Sequence, residues 1–200
     1  LSNELGRYAP RTKFCELVIN NSYRGVYVLM EKIKRDNDRV DIARLDQDDV
    51  AGDSLTGGYL LKCDWPEGSY AGWRSTYSIN SGYYGNASII WVDPDYRELE
   101  LPQKDYIRNY VTEFETILKS EIFRDPELGY YKYIDIDSFI DFMLSQELAN
   151  NVDAYALSTF LYKERDSDGG KLVAGPLWDF NHSLGNVDYG RSQSTTTYSF

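Results

Sequence analysis

The 200-residue chain contains a single histidine, His182, and only two cysteines, Cys15 and Cys63. A zinc centre would need almost all three of these together, and no CxxC spacing supports one. A Ser-His-Asp triad would have only His182 to draw on. Both cysteines sit in apolar, strand-like runs, so they read as buried thiols rather than a disulfide. Positive charge is also scarce: 21 Lys and Arg stand against 32 Asp and Glu, a net charge of −11. Phosphate-backbone binding draws its affinity from a Lys/Arg footprint, so nucleic acid is a poor partner. The densest basic run, "EKIKRDNDR" (Glu31 to Arg39), reads as a solvated strand end. No apolar run approaches the roughly 18–20 residues that span a bilayer. No signal-peptide pattern is present, and the first residue is Leu1, so the sequence reads as a segment of a longer chain.

Aromatic side chains are abundant, at 15 % with 18 tyrosines, and hydrophobic residues make up 42 %. That is ample for a packed core and suggests one domain over residues 1–200, or two small lobes sharing a core.

Periodicity divides the chain. "FCELVIN", "NSYR" and "GVYVLMEKI" predict a β-hairpin with a short polar turn. In its second strand Tyr27, Leu29, Glu31 and Ile33 share one face, so Glu31 or Lys32 should face the core. "GGYLLKCDW" predicts a strand with Tyr59, Leu61 and Cys63 on one face and Leu60 and Lys62 on the other. "SIIWVDPDY" predicts another, stopped by Pro94. From Gln103 to Lys119 the spacing becomes helical, with a stripe of Ile107, Tyr110, Val111, Phe114, Ile117 and Leu118. "DIDSFIDFMLSQELANN" predicts a second helix, with Asp137 as N-cap and Phe139, Ile140, Met143 and Leu144 facing inward. "STFLYKE", "RDSDGG" and "KLVAGPLWDF" then predict a closing hairpin. Its tight turn places Gly where φ is positive. The "DSDG" turn lacks the later Glu of a calcium loop. The whole reads as α+β, with an antiparallel sheet lobe over about 1–101 and a helical lobe with the hairpin over about 102–200.

Two acids stand out against apolar flanks. Asp153, in "ANNVDAYALS", and Asp179, in "GPLWDFNHSLG", are 26 positions apart. A hairpin returns its ends to one place, so both carboxylates should converge. A divalent cation gives converging acids a reason, since Mg²⁺ takes one or two carboxylates plus substrate phosphates. The alternative is that each acid caps a turn. The pattern matches protein-kinase logic: an Asp that accepts the substrate hydroxyl proton, and an Asp-Phe beyond a hairpin that binds Mg²⁺.

On "GVYVLMEKI", "GGYLLKCD", "ELANNVDAYALSTFLYK" and "GPLWDFNHSLGN" together, the chain resembles the CotH family of atypical kinase-like proteins. That family is known from bacterial spore coats. This chain looks most like its form in secreted proteins of Bacteroides-type bacteria. The resemblance extends over nearly all 200 residues. It implies a minimal protein-kinase-like fold, with ATP and Mg²⁺ or Mn²⁺ as cofactors. It further implies phosphoryl transfer to Ser or Thr of a protein substrate, outside the cytoplasm. By position, Asp153 matches the catalytic Asp and Asp179 the metal-binding Asp. Lys62 matches a strand Lys suited to ATP phosphates, and Glu31 a recurrent Glu that would pair with Lys62 across neighbouring strands. Ser158 and Asn181 stand near the metal position as neutral oxygen donors. Ser158 replaces the Asn of kinase-like sites, and Asn181 replaces the second Asp of a "WDxD" pattern. Asn150 and Asn151 are substitutes for Ser158, or else cap the preceding helix. No GxGxxG loop is present, so the turn "NNSYRG" would cover the nucleotide.

Two other functions fit the same composition. A catalytically inactive kinase-like fold could bind proteins or glycans through the aromatic segment "WPEGSYAGWRSTYSINSGYYG". A structural surface-assembly protein would need no ligand at all.

Overall fold

The computed structural model describes residues 1–66, 72–77, 87–190 and 193. Two antiparallel sheets and two long helices make up its α+β architecture. Strands β1 (Thr12–Ile19) and β2 (Ser22–Met30) form a two-stranded sheet of their own. Five more strands form the central sheet in the order β4-β5-β3-β6-β7. These are β3 (Tyr59–Asp64), β4 (Gly72–Trp73), β5 (Ser88–Asp93), β6 (Thr159–Lys163) and β7 (Leu172–Ala174).

The first hairpin forms as its sequence predicts, but its turn is tighter. Asn20 and Asn21 both take positive φ, at 50° and 60°, which suits the right-handed twist of a two-residue hairpin turn. Ser22 already pairs with Ile19. The expected burial of one face does not occur. Phe14, Val26 and Leu29 are 78 %, 63 % and 66 % exposed. Only the exit of the hairpin reaches the core, where Ile33, Val40 and Ile42 gather with Leu60 and Phe160.

β3 is the centre of the sheet, hydrogen-bonded on both sides. Its alternation is as the sequence predicts. Tyr59 and Leu61 join one core cluster with Trp73, Ile89, Trp91, Ile107 and Val111, with Cys63 packed against it. Leu60 joins the opposite cluster. Before β3, Gly57 runs so close to the chain leaving β6 that an added Cβ would lie 2.0 Å from the backbone N of Arg165. The strand pair therefore closes only on glycine. Cys15 and Cys63 are both free, and burial pushes the Cys63 thiol up to about 12, far from a reactive thiolate.

Helix α1 is a single turn, Gly52–Leu55, and α2 spans Leu101–Leu118. A reciprocal box starts α2: the Glu100 side chain accepts from the Gln103 N–H, and Gln103 Oε1 accepts from the Glu100 N–H at 2.9 Å. The Gln103 amide also donates to the carbonyls of Asp46 and Asp49, which ties the acidic loop to the helix. Ile107, Val111 and Phe114 are buried as the stripe predicts, whereas Leu118 is 44 % exposed.

Helix α3 spans Ile136–Ala149 and differs from expectation twice. Its N-cap is Asp135, which accepts from the Ser138 N–H at 2.8 Å; Asp137 lies inside the first turn. The cause is a backbone tie to β7. Leu172 N–H donates to Tyr133 O, and Asp135 N–H donates to Leu172 O, which holds the chain extended up to Asp135. Of the expected inward residues Phe139 packs against the core beside Phe114, but the fully buried face is Ser138, Phe142, Ser145 and Gln146, while Ile140, Met143 and Leu144 are exposed. Small serines let the helix approach β7, and the Ser138 hydroxyl accepts from the Ala174 N–H at 3.0 Å. Satisfying that strand's backbone outweighs burying the apolar stripe.

The closing hairpin does not belong to a separate helical lobe. β6 pairs with β3, so the sheet is completed by residues that follow both helices. In the turn, Gly169 and Gly170 take positive φ as expected. No helix among the described residues is long and apolar enough to cross a membrane.

Candidate functional site

The two acidic loops interlock at one end of the β6–β7 hairpin. The first loop leaves α3 at Asn150, which caps the helix in the left-handed region. Asn151 is buried; its amide donates to Gln146 Oε1 at 2.9 Å, and its own oxygen accepts from the Asp153 N–H. Both asparagines thus serve the helix end and the turn. The Asp153 carbonyl accepts from the N–H groups of Ala156 and Leu157, which closes that turn.

The second loop follows β7 through Gly175 and Pro176 and reaches Trp178 and Asp179. Hydrogen-bond-range contacts among the described residues join the two segments. The Ser158 hydroxyl donates to Asp179 Oδ2 at 3.2 Å. Asp153 Oδ2 meets His182 Nδ1 at 3.0 Å. The Leu184 N–H donates to Ala149 O at 2.7 Å. The convergence of the two acid-bearing segments is therefore a feature of the fold.

Backbone strain gathers at this place. Seven non-glycine residues among those described have positive φ, and five of them are Asn150, Tyr155, Ser158, Asp179 and Leu184. Such conformations cost on the order of 1–3 kcal/mol each and persist where surrounding structure over-determines them, typically at functional sites.

Lys62 lies on β3 directly opposite Phe160 of β6, so the two side chains share a sheet face. The Phe160 ring meets Trp178 edge-on at 6.3 Å, one residue before Asp179. Lys62 therefore stands on the face that carries the Asp179 loop. Its ammonium lies 3.3 Å from Asp64 on its own strand.

Glu31 does not pair with Lys62. The expectation placed the two on neighbouring strands, but β2 and β3 belong to different sheets. Glu31 instead accepts from the Arg11 backbone and guanidinium at 2.9 Å and lies 3.8 Å from Arg39. These arginine contacts, Arg11 first, hold its carboxyl down at about 2, against an ordinary value of 4.5. A carboxylate with a depressed folded value contributes stability above its unfolded value and loses it as pH falls. Wild-type protein is expected to lose more stability than Glu31→Gln between about pH 4.5 and pH 2. Urea titrations of both at several pH values check this, and equal losses would contradict it.

Asp179 and Asn181 are exposed, and Ser158 is half-buried. Among the described residues no group of three or more His, Cys, Asp or Glu could hold a metal ion by itself. One exposed carboxylate with a hydroxyl beside it suits a cation that keeps waters and phosphate oxygens as its other ligands, as Mg²⁺ does. The donor set thus fits a metal–nucleotide complex and not an all-protein metal cage.

The aromatic segment proposed as a sugar platform is outside the described residues at 67–71 and 78–86. Its described member Trp73 is 7 % exposed and lies on Trp91 with ring centroids 4.6 Å apart, so it belongs to the core. His182 and Tyr189, whose hydroxyl is 2.9 Å from His182 Nδ1, were not among the expected site residues. The only sequence signal for them was a lone histidine three positions after Asp179.

The chain is thus α+β, and the loops that carry Asp153 and Asp179 are joined to each other. Residues 1–199 match the family described as CotH kinase protein, and the chain belongs to that family. A search of curated proteins finds no match.

Proposed function

We propose that this protein is an atypical kinase that transfers phosphate from ATP to Ser or Thr of a protein substrate, outside the cytoplasm, on a minimal kinase-like fold. The observation that carries this reading is the interlock of the two acidic loops on the sheet face that bears Lys62. Family membership supports the reaction class and the need for ATP and a divalent cation. The resemblance to secreted relatives supports the location.

In this reading each residue has a distinct task. Lys62 presents a compact positive charge to the nucleotide phosphates. Asp179, with Ser158 and Asn181 as neutral neighbours, holds Mg²⁺ or Mn²⁺. When bound, that ion supplies charge neutralisation at the transferred phosphoryl group. Asp153 orients the acceptor hydroxyl and takes its proton as the oxygen–phosphorus bond forms and the bond to ADP breaks. The chemistry is chiefly positioning and electrostatics, so a nucleophilic side chain is not required.

The test is calorimetric titration with ATP, with Mn²⁺ or Mg²⁺ and then with excess chelator, followed by transfer of labelled γ-phosphate to protein. Metal-dependent binding and transfer are expected. Equal affinity with and without chelator, or binding without transfer to any protein acceptor including the chain itself, would overturn the kinase reading.

A further inference from the structure

We propose that His182 is the positioning residue for Asp153: its Nδ1–H holds the carboxylate in the orientation that meets the acceptor hydroxyl, and Tyr189 sets the plane of the ring. The inference rests on the reading of Asp153 as the group that receives the hydroxyl proton.

The geometry begins with the contact itself. Nδ1 lies 3.0 Å from Asp153 Oδ2, and the carboxylate is 14 % exposed while the imidazole is 37 % exposed. A carboxylate able to take a proton is ionised, and an ionised carboxylate can only accept hydrogen bonds. Nδ1 must therefore carry the proton, whether the ring is neutral or charged. The Tyr189 oxygen, 2.9 Å from the same nitrogen, is then a second acceptor of that N–H, so its own proton points elsewhere. The two rings meet edge-on, at 80° with centroids 5.8 Å apart, which fixes the imidazole plane.

The backbone that carries His182 is equally restrained. The Ser183 hydroxyl donates to Phe180 O, and the Asn186 amide donates to Asn181 O at 2.8 Å. The Leu184 N–H reaches back to Ala149 O on the end of α3. The donor thus stands on a loop tied to the same helix end from which Asp153 departs. A carboxylate whose orientation matters needs such support, because a misplacement of about 1 Å costs on the order of 10²-fold in rate. A loop tie alone would need neither a donor aimed at the carboxylate nor a second ring to hold it.

The experiment has two arms. The first is long-range ¹H–¹⁵N NMR of the labelled 200-residue chain, in which the single histidine gives one unambiguous imidazole. A protonated Nδ1 whose resonance moves in Asp153→Asn is expected. An unprotonated Nδ1, or one indifferent to Asp153→Asn, overturns the proposal. The second arm is transfer kinetics. His182→Ala should lower kcat roughly 10–100-fold with KM for ATP unchanged. His182→Asn, which returns an N–H near the place of Nδ1, should recover most of that loss. In an Asp153→Asn background His182→Ala should add nothing further. Equal loss in the Ala and Asn variants, or a raised KM with kcat intact, overturns the positioning role. A wild-type chain that transfers no phosphate defeats the kinase reading and with it the role assigned to His182. The first arm then still shows whether the contact exists.

Discussion

Asp153→Asn is expected to lower phosphoryl transfer about 10²–10⁴-fold, the common cost of losing a general base, while ATP binding stays near wild type. The Asp153 carboxylate meets His182, whereas Asp179 is bonded by Ser158 and Lys62 lies by Asp64, so the change leaves Asp179 and Lys62 in place. Asp179→Asn is expected to do the reverse in binding. It removes the one charged oxygen assigned to the cation, so affinity for the metal–nucleotide complex falls, and turnover falls with it. Neither change should unfold the chain, since Asn is nearly isosteric with Asp. Calorimetric titration and labelled-phosphate transfer on both variants check the split. Abolished binding in Asp153→Asn, with merely slowed transfer in Asp179→Asn, would reverse the two roles.

Leu61→Ala is expected to cost about 2–5 kcal/mol of folding stability, the range for deleting a fully buried leucine side chain. Leu61 has no solvent exposure and stands on the central strand between Trp91 of β5 and Leu161 of β6. Neighbours hydrogen-bonded on both sides cannot collapse into the space, so much of the cavity should remain. For a chain of this length the loss corresponds to a drop of roughly 4–20 °C in Tm. Leu29→Ala is the control. It removes a side chain of the same size from the exposed hairpin, where a change within about 0.5 kcal/mol is expected. Urea denaturation of the two variants beside wild type decides the matter. Similar losses would mean that the hairpin is as much a part of the cooperative core as β3.

The elements that were legible in the sequence are those whose burial pattern follows from local periodicity. β3 shows it well: "YLLKC" alternates between two faces, and both faces find a core cluster. The stripe of α2 is legible for the same reason. On α3 the sequence stripe is right for Phe139 but not for Ile140, Met143 and Leu144, because the neighbouring strand edge needs hydrogen-bond acceptors. No reading of apolar spacing selects Ser138 and Ser145 as the inward face. The first hairpin alternates like a buried strand, yet its two faces remain open, because periodicity states what a segment can bury and not what stands opposite. The meeting of the Asp153 and Asp179 loops could be argued from the hairpin between them, and the contacts of Ser158 and His182 are its physical form. The Glu31 pairing failed because it assumed that consecutive strands are neighbours. Across the sheet, β3 is flanked by β5 and β6, and Glu31 finds arginines near its own hairpin.

The pairing of β3 with β6 also orders events during synthesis. Lys62 and its partner Phe160 are 98 positions apart, so the ladder that joins them closes one of the longest loops in the chain. Such closures are slow, because the entropy of bringing the ends together is lost before any contact rewards it. A chain that has emerged only as far as α3 exposes one whole edge of β3, an invitation to pair with another copy. The same chain has Lys62 in hand but neither Asp153 nor Asp179. On the proposed kinase reading, transfer should therefore appear only once the segment from Asp153 to Asp179 has joined the sheet. A product stalled before Thr159 would carry that open edge and be prone to aggregate.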